Sequence, residues 1–158
     1  MSGSNVMLSK DAVSAKLAKC FVTIGDRRYL LLQAKDIEAK FKKNKKKVAI
    51  LGQTGQGNKA TGWEGSGKMT IYYNTSIFTD LLIQYKDTGE DTYFDMQIEN
   101  NDPSSAAGSQ TIILKGCNID GGLLAAFDAD GDWLEQDIDF TFEDVNMPEK
   151  FKILTGMI

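Results

Sequence analysis

Leu134–Phe142 is the cleanest alternation in the chain: Ile138, Phe140 and Phe142 take one parity, and Glu135, Asp137 and Asp139 take the other. A period of two fits only a strand with one dry and one wet face. The pattern recurs. Asp36–Lys42 sets Ile37, Ala39 and Phe41 against Glu38, Lys40 and Lys42. Lys68–Asn74 sets Met69, Ile71 and Tyr73 against Lys68, Thr70 and Tyr72, and Tyr93–Glu99 sets Phe94, Met96 and Ile98 against Asp95, Gln97 and Glu99. Such a chain must stack its dry faces together. The expected fold is α+β and mainly β: two packed antiparallel sheets, sandwich-like, or one strongly curved, barrel-like sheet.

Further elements follow from local chemistry. Cys20–Ile24 and Tyr29–Gln33 flank Gly25–Asp26 and read as a hairpin. Gln110–Lys115 and Cys117–Phe127 read as strands, the second broken at Gly121–Gly122. One helix is expected, capped by Thr75 or Ser76, presenting Ile77, Phe78, Leu81, Leu82 and Tyr85 on one face and ending at Thr88–Gly89. Gly52–Gly67 holds six glycines and no apolar period, and reads as a long loop. Residues 1–18 form a polar arm, 19–148 the domain, with Pro148 closing it, and 149–158 a short tail.

Charge is unevenly divided. Residues 1–86 carry 15 of the 18 Lys and Arg and 6 of the 22 Asp and Glu; residues 87–158 carry the other 3 and 16. Opposed fields on one molecule favour head-to-tail association with copies of itself, although two solvated faces give the same composition. The 158 residues fit one domain. No run of about 18 apolar residues exists to span a membrane, so no membrane anchor is expected. The N-terminus lacks a signal-peptide core, which points to a cytoplasm. Cys20 and Cys117 sit in apolar runs and are expected as buried free thiols.

Histidine is absent, which removes the commonest general base and zinc ligand. Gly52–Lys59 suggests a phosphate loop, but Asn58 separates Gly57 from Lys59, Ala60 follows, and no helix can open there. Gly55-x-Gly57-x-x-Ala60 fails as a dinucleotide fingerprint for the same reason. Asp128–Asp132 suggests a calcium loop, yet its glycine is fourth instead of sixth; a tight hairpin turn with Gly131 at positive φ is expected instead. Lys42–Lys47 lacks the interleaved aromatics or arginines of a nucleic-acid patch and suits a solvated edge that discourages stray pairing. Evenly spaced acids on a strand are a wet face sooner than a hydrolytic pair. The chain is therefore expected to be no enzyme, with no catalytic, cofactor or metal site.

Several stretches together resemble a known family: the Lys-rich strand running into Val48-Ala-Ile-Leu-Gly52, the glycine stretches Gly57-Asn-Lys-Ala-Thr-Gly62 and Gly65-Ser-Gly67-Lys, the helix at Thr75–Leu82, and above all Phe140-Thr-Phe-Glu-Asp-Val-Asn-Met-Pro-Glu-Lys150. Their order and spacing are similar to those of contractile phage tail tube proteins, of the PBSX-type defective prophages and R-type bacteriocins. The resemblance covers roughly residues 18–150. It implies six-membered rings whose strands join into one barrel around a channel, stacked into a tube inside a sheath. It implies assembly in the bacterial host cytoplasm, then residence in a phage tail or released bacteriocin.

The implied partners are further copies of the chain, the tail sheath protein and baseplate or initiator proteins, with DNA or ions only as passing cargo. The family's inter-ring loop falls on Lys42–Gly67, with Lys42, Lys43, Lys45, Lys46, Lys47, Gly52, Gly55, Gly57, Lys59, Gly62 and Trp63 as contact candidates. A structureless stretch that long is usually functional or disordered, and Trp63 suits an apolar anchor. Glu135, Asp137, Asp139 and Glu143 would face the lumen, where a negative wall lets DNA phosphate slide past. The alternative is a small oligomeric binding module that offers its basic loop to an acidic partner.

Overall fold

The computed structural model describes residues 6–13, 18–131, 133–154 and 156–157. Among them are eight strands and one α-helix: β1 (Lys19–Ile24), β2 (Arg27–Leu30), β3 (Ala34–Ala49), β4 (Gln56–Tyr72), α1 (Ile77–Thr88), β5 (Phe94–Asn101), β6 (Ser109–Ile119), β7 (Glu135–Phe142) and β8 (Asp144–Glu149). Every pairing is antiparallel. The hydrogen-bonded order is β2-β1-β5-β6-β7-β4-β3, with β8 also on β6. This single path is open, since β2 and β3 end it with one partner each.

The chain clusters into two compact units. The first takes β1, β2, β5, β8 and β6 as far as Cys117. Its hairpin turns at Gly25, φ +59°, with Asp26 at negative φ; glycine in the first central position is the signature of a type II′ turn, whose twist matches the strands. Val22, Phe94, Met96, Leu114 and Cys117 form its buried core. Pro148 lies inside β8, where β8 pairs only with β6 and the register shifts opposite Thr111–Ile113. An irregular edge is where a strand tolerates a residue without an N–H, and Pro148 sits within β8, one residue before its end.

The expected arm at residues 1–18 falls partly outside the described residues. Its described part carries a 3-10 turn at Ser9–Asp11 whose Lys10 carbonyl accepts from Ala106 N at 2.8 Å. The tail is likewise partly outside, and Lys152 N donates to the Ala107 carbonyl at 2.8 Å.

The second unit holds β3, β4, α1, β7 and the last two residues of β6. Met69 and Ile71 of β4 and Ile138 and Phe140 of β7 are almost completely buried, and Phe78 and Leu81 of α1 are buried as well. The helix stops at Gly89, whose φ of +74° ends it in a left-handed cap.

Three sequence expectations are corrected here. The glycine-rich stretch is strand: β4 begins at Gln56, and β3 runs on through all five lysines to Ala49. Residues 42–67 are a long hairpin with a turn at 50–55, not a loop. The strand expected at 117–127 ends at Ile119, and none of residues 120–131, 133 and 134 is strand. The Asp128–Gly131 turn forms, with Gly131 N donating to the Asp128 carbonyl at 3.4 Å, but Gly131 is not at positive φ and joins no hairpin.

Candidate assembly surfaces

The β3–β4 hairpin divides at Gly65. From Gly65 to Tyr72, β4 is flanked by β7. From Glu64 outward it pairs with β3 alone, from Lys42–Glu64 to Ala49–Gln56. Eight residues at about 3.4 Å each make this arm roughly 25 Å long. Almost every residue on it is exposed. An unsupported two-stranded ribbon is marginal in water.

The base of the arm explains its glycines. A Cβ on Gly65 would lie 2.3 Å from the Phe142 ring, and one on Gly67 would lie 2.5 Å from the Phe140 ring and 2.6 Å from the Glu38 carbonyl. Both phenyl rings of β7 thus lie across bare β4 backbone. Trp63 continues this face outward, stacking on Phe41 at 4.6 Å between ring centroids and tilting against Phe142 at 6.2 Å. The expected anchor Trp63 is therefore part of an aromatic cap on the unit's own core, with its outer edge still in solvent.

Beyond the cap the arm is basic. Lys43, Lys45 and Lys47 share one face of β3 by parity, and Lys42 and Lys46 the other. Lys46 stands directly opposite Lys59, an arrangement that destabilises a strand pair. Only Glu64 relieves the charge, 3.9 Å from Lys42. A bulge at Asn44–Lys45 is closed by Thr61 Oγ1 donating to the Asn44 carbonyl at 3.1 Å. Gly62 lies beside this bulge, with open space where a side chain would go. Gly52, φ +85°, turns the tip, with Gly55 at its far side. Ile50 folds over Gly57, where a Cβ would come within 2.8 Å of it, and Leu51 is wholly exposed.

The second surface is the wet face of β7. Asp137 and Asp139 project from it and are exposed, Glu135 is half-buried, and Glu143 follows just past its end. Register tempers this acidity. Asp139 faces Lys68, which in turn faces Glu38, and Asp137 accepts from Thr70 Oγ1 at 2.7 Å. Glu135 accepts from Lys35 Nζ at 2.9 Å and from Trp133 Nε1 at 2.7 Å. The Lys35 ammonium, then the indole N–H, holds its carboxyl below the ordinary value, and Glu135 in turn raises Lys35. The basic and acidic halves of the sequence thus interleave in space. Acid-rich β7 hydrogen-bonds to β4 from the basic half, and unbalanced positive charge survives on the arm.

Sequence reading missed a third feature. Residues 120–124 are pinned by backbone and side-chain bonds: Asp120 N to the Asp139 carbonyl at 2.8 Å, Leu123 N to Gln136 Oε1 at 3.3 Å, and Tyr73 Oη to the Leu124 carbonyl at 2.7 Å. The anchor Gln136 is a buried amide in an otherwise apolar row; that break in the β7 alternation was its one visible signal. Leu124 there is 61 % exposed, and Phe127 and Trp133 further along are 92 and 63 % exposed. Among the described residues no group of three or more Cys, Asp or Glu could hold a metal ion, and no helix is long and apolar enough to cross a membrane.

A family model described as "Phage tail tube protein" matches residues 5–149. The phage-like element PBSX protein XkdM of Bacillus subtilis (strain 168) is 35% identical over 142 residues, 90% of this chain and 94% of that protein. YqbM of the same strain, an uncharacterized protein, is 34% identical over 144 residues, 91% of this chain and 95% of that protein. Among solved structures, a chain of the sixfold-symmetrised anti-feeding prophage baseplate shares the fold at TM-score 0.66 and 13% identity, covering 89% of this chain and 97% of its own length. The SPP1 tail tube does so at TM-score 0.62 and 10% identity, covering 91% and 82%.

Proposed function

The chain belongs to the phage tail tube protein family, and we propose that its copies close edge to edge into six-membered rings that stack into the inner tube of a contractile phage tail or an R-type bacteriocin. The observation that carries this is the open ladder ending in β2 and β3. Unpaired edges invite pairing with another chain, and ring closure would satisfy both at once. The sixfold symmetry of the baseplate neighbour supports the number six. The role is structural, without catalysis. Sheath and baseplate proteins are the outer and terminal partners, and DNA or ions pass through the channel.

In this reading the arm, Lys42–Trp63, connects one ring to the next. Asp137 and Asp139, with Glu135 and Glu143 at the ends of the row, face the lumen. Their carboxylates outnumber the ammonium groups of Lys35, Lys40 and Lys68 beside them, so passing phosphate is repelled.

Electron microscopy of concentrated purified protein tests the assembly: stacked rings are expected, and a monodisperse small particle at every concentration would refute it. Shortening the arm separates its role. Removing residues 46–59 and closing Lys45 to Ala60 with Asn-Gly leaves the rest of the ladder paired. The expected product keeps its melting temperature but no longer stacks; long normal tubes would take the inter-ring role away from the arm. Cysteine at Asp137 or Asp139 is expected to react in tubes with small polar thiol reagents and not with bulky ones. Equal reaction with both would place that face outside.

A further inference from the structure

Beyond that assignment, and resting on it, we propose that the arm tip of one copy seats on the Leu124, Phe127 and Trp133 surface of the next copy along the stack. The two surfaces lie at opposite ends of one strand. β4 starts at the tip with Gln56 and ends at Tyr72, which pairs with Glu135; Trp133, just before β7, meets Tyr72 edge-on at 6.4 Å between ring centroids. The strand's 17 residues span roughly 55 Å. A donor at one end and an acceptor at the other make a heterologous contact, which propagates along an axis.

The two surfaces match in chemistry. The tip presents exposed Val48, Ile50 and Leu51 between Lys45, Lys46, Lys47 and Lys59. The receiving surface presents exposed Leu124, Phe127 and Trp133 next to the exposed carboxylates of Asp128 and Asp130. Apolar groups meet apolar groups, and basic groups meet acidic ones. The occupant is therefore a second copy of this chain. The Lys46–Lys59 opposition, unfavourable in the free arm, is relieved when carboxylates of a neighbour lie against it. The start of the receiving segment is already tied: Asp120 to Asp139, Leu123 to Gln136 and Leu124 to Tyr73.

The test is a disulfide ladder. Leu51→Cys and Phe127→Cys are placed in one chain, with Cys20 and Cys117 left in place because both are buried. Oxidised tubes should yield covalent oligomers well beyond a dimer on a non-reducing gel, and neither single variant should. Tubes visible by microscopy whose double-cysteine chains stay monomeric would overturn this contact and leave the tube assignment standing. Failure of the unaltered chain to form tubes would overturn both.

A second arm guards against a failed cross-link. Lys46→Glu places opposite charges across the arm, so it does not endanger folding. It should raise the concentration needed for sedimentation by about tenfold, and Asp130→Lys in the same chain should restore it. Unchanged sedimentation of Lys46→Glu would refute the contact.

Discussion

Gly67 is the sharpest test of β4 as a strand built to carry aromatic rings. In Gly67→Ala the new methyl would sit 2.5 Å from the Phe140 ring and 2.6 Å from the Glu38 carbonyl. The ring belongs to a side chain only 1% exposed, and the carbonyl is backbone of the paired strand, so neither can retreat cheaply. Overpacking of this kind costs about 1–3 kcal/mol, and the upper part of that range is expected. For a chain of this size that is a fall of roughly 4–10 °C in melting temperature. Gly62→Ala is the control, because nothing lies within 4 Å of its added methyl. It should be neutral or gain up to about 1 kcal/mol through lost freedom of the unfolded chain.

Gly65→Ala refines the test. The three nearest atoms there belong to the Phe142 side chain, at 2.3–2.6 Å. Phe142→Leu should therefore rescue Gly65→Ala in a double-mutant cycle, whereas Phe140→Leu should rescue Gly67→Ala only partly. Thermal melts followed by circular dichroism on dilute protein measure all of these. If Gly67→Ala melts within about one degree of Gly62→Ala, the rings do not rest on bare backbone and the stretch behaves as a loop.

Two further outcomes depend on pH. Glu135 is held below its ordinary value chiefly by Lys35, so the stability this pair adds is present above the ordinary carboxylate value and lost as pH falls through the lowered one. Carboxyl-carbon titration by NMR should show the Glu135 midpoint rising in Lys35→Met, and an unmoved midpoint would mean the ion pair does not form. Burial pushes the Cys20 and Cys117 thiols up to about 12 from 9.0. Their contribution is intact below pH 9.0 and drains away between there and about pH 12, as thiolates form in the unfolded chain. Neither thiol should react with an aromatic disulfide reagent until the protein unfolds; rapid native reaction would contradict their burial.

Legibility followed the physics of each segment. β7, β5 and the inner half of β4 sit against a core, so selection on burial writes a period of two into them, and Ile138, Phe140, Phe94 and Met96 were readable at once. The helix was readable because its stop, Gly89, and its buried Phe78 and Leu81 are local features. β8 was hidden: an edge strand carrying a proline has one partner and almost no buried side chain. The outer half of β4 was hidden for a different reason. Gly65 and Gly67 at its base are set by rings on another strand that are distant in sequence, and Gly57 by Ile50 across the hairpin, so bare backbone looked like punctuation. Register was equally out of reach, and with it the finding that Lys68 and Thr70 sit against Asp139 and Asp137.

These hidden features share a cause that bears on function. An arm with lysines opposed across its strands, an exposed leucine at its tip and no core beneath it is a poor solution for an isolated domain. So is a segment that leaves Phe127 almost wholly in water. Each becomes a good solution when a second copy supplies the missing half: carboxylates for the lysines, an apolar seat for the tip. The local rules by which a chain is read assume that it is stabilised by its own residues. Two of the places where they fail, residues 42–64 and 120–131, coincide with surfaces that lack an internal partner. That coincidence is the physical reason to place the assembly contacts there, and Leu51→Cys with Phe127→Cys asks whether the two surfaces complete each other.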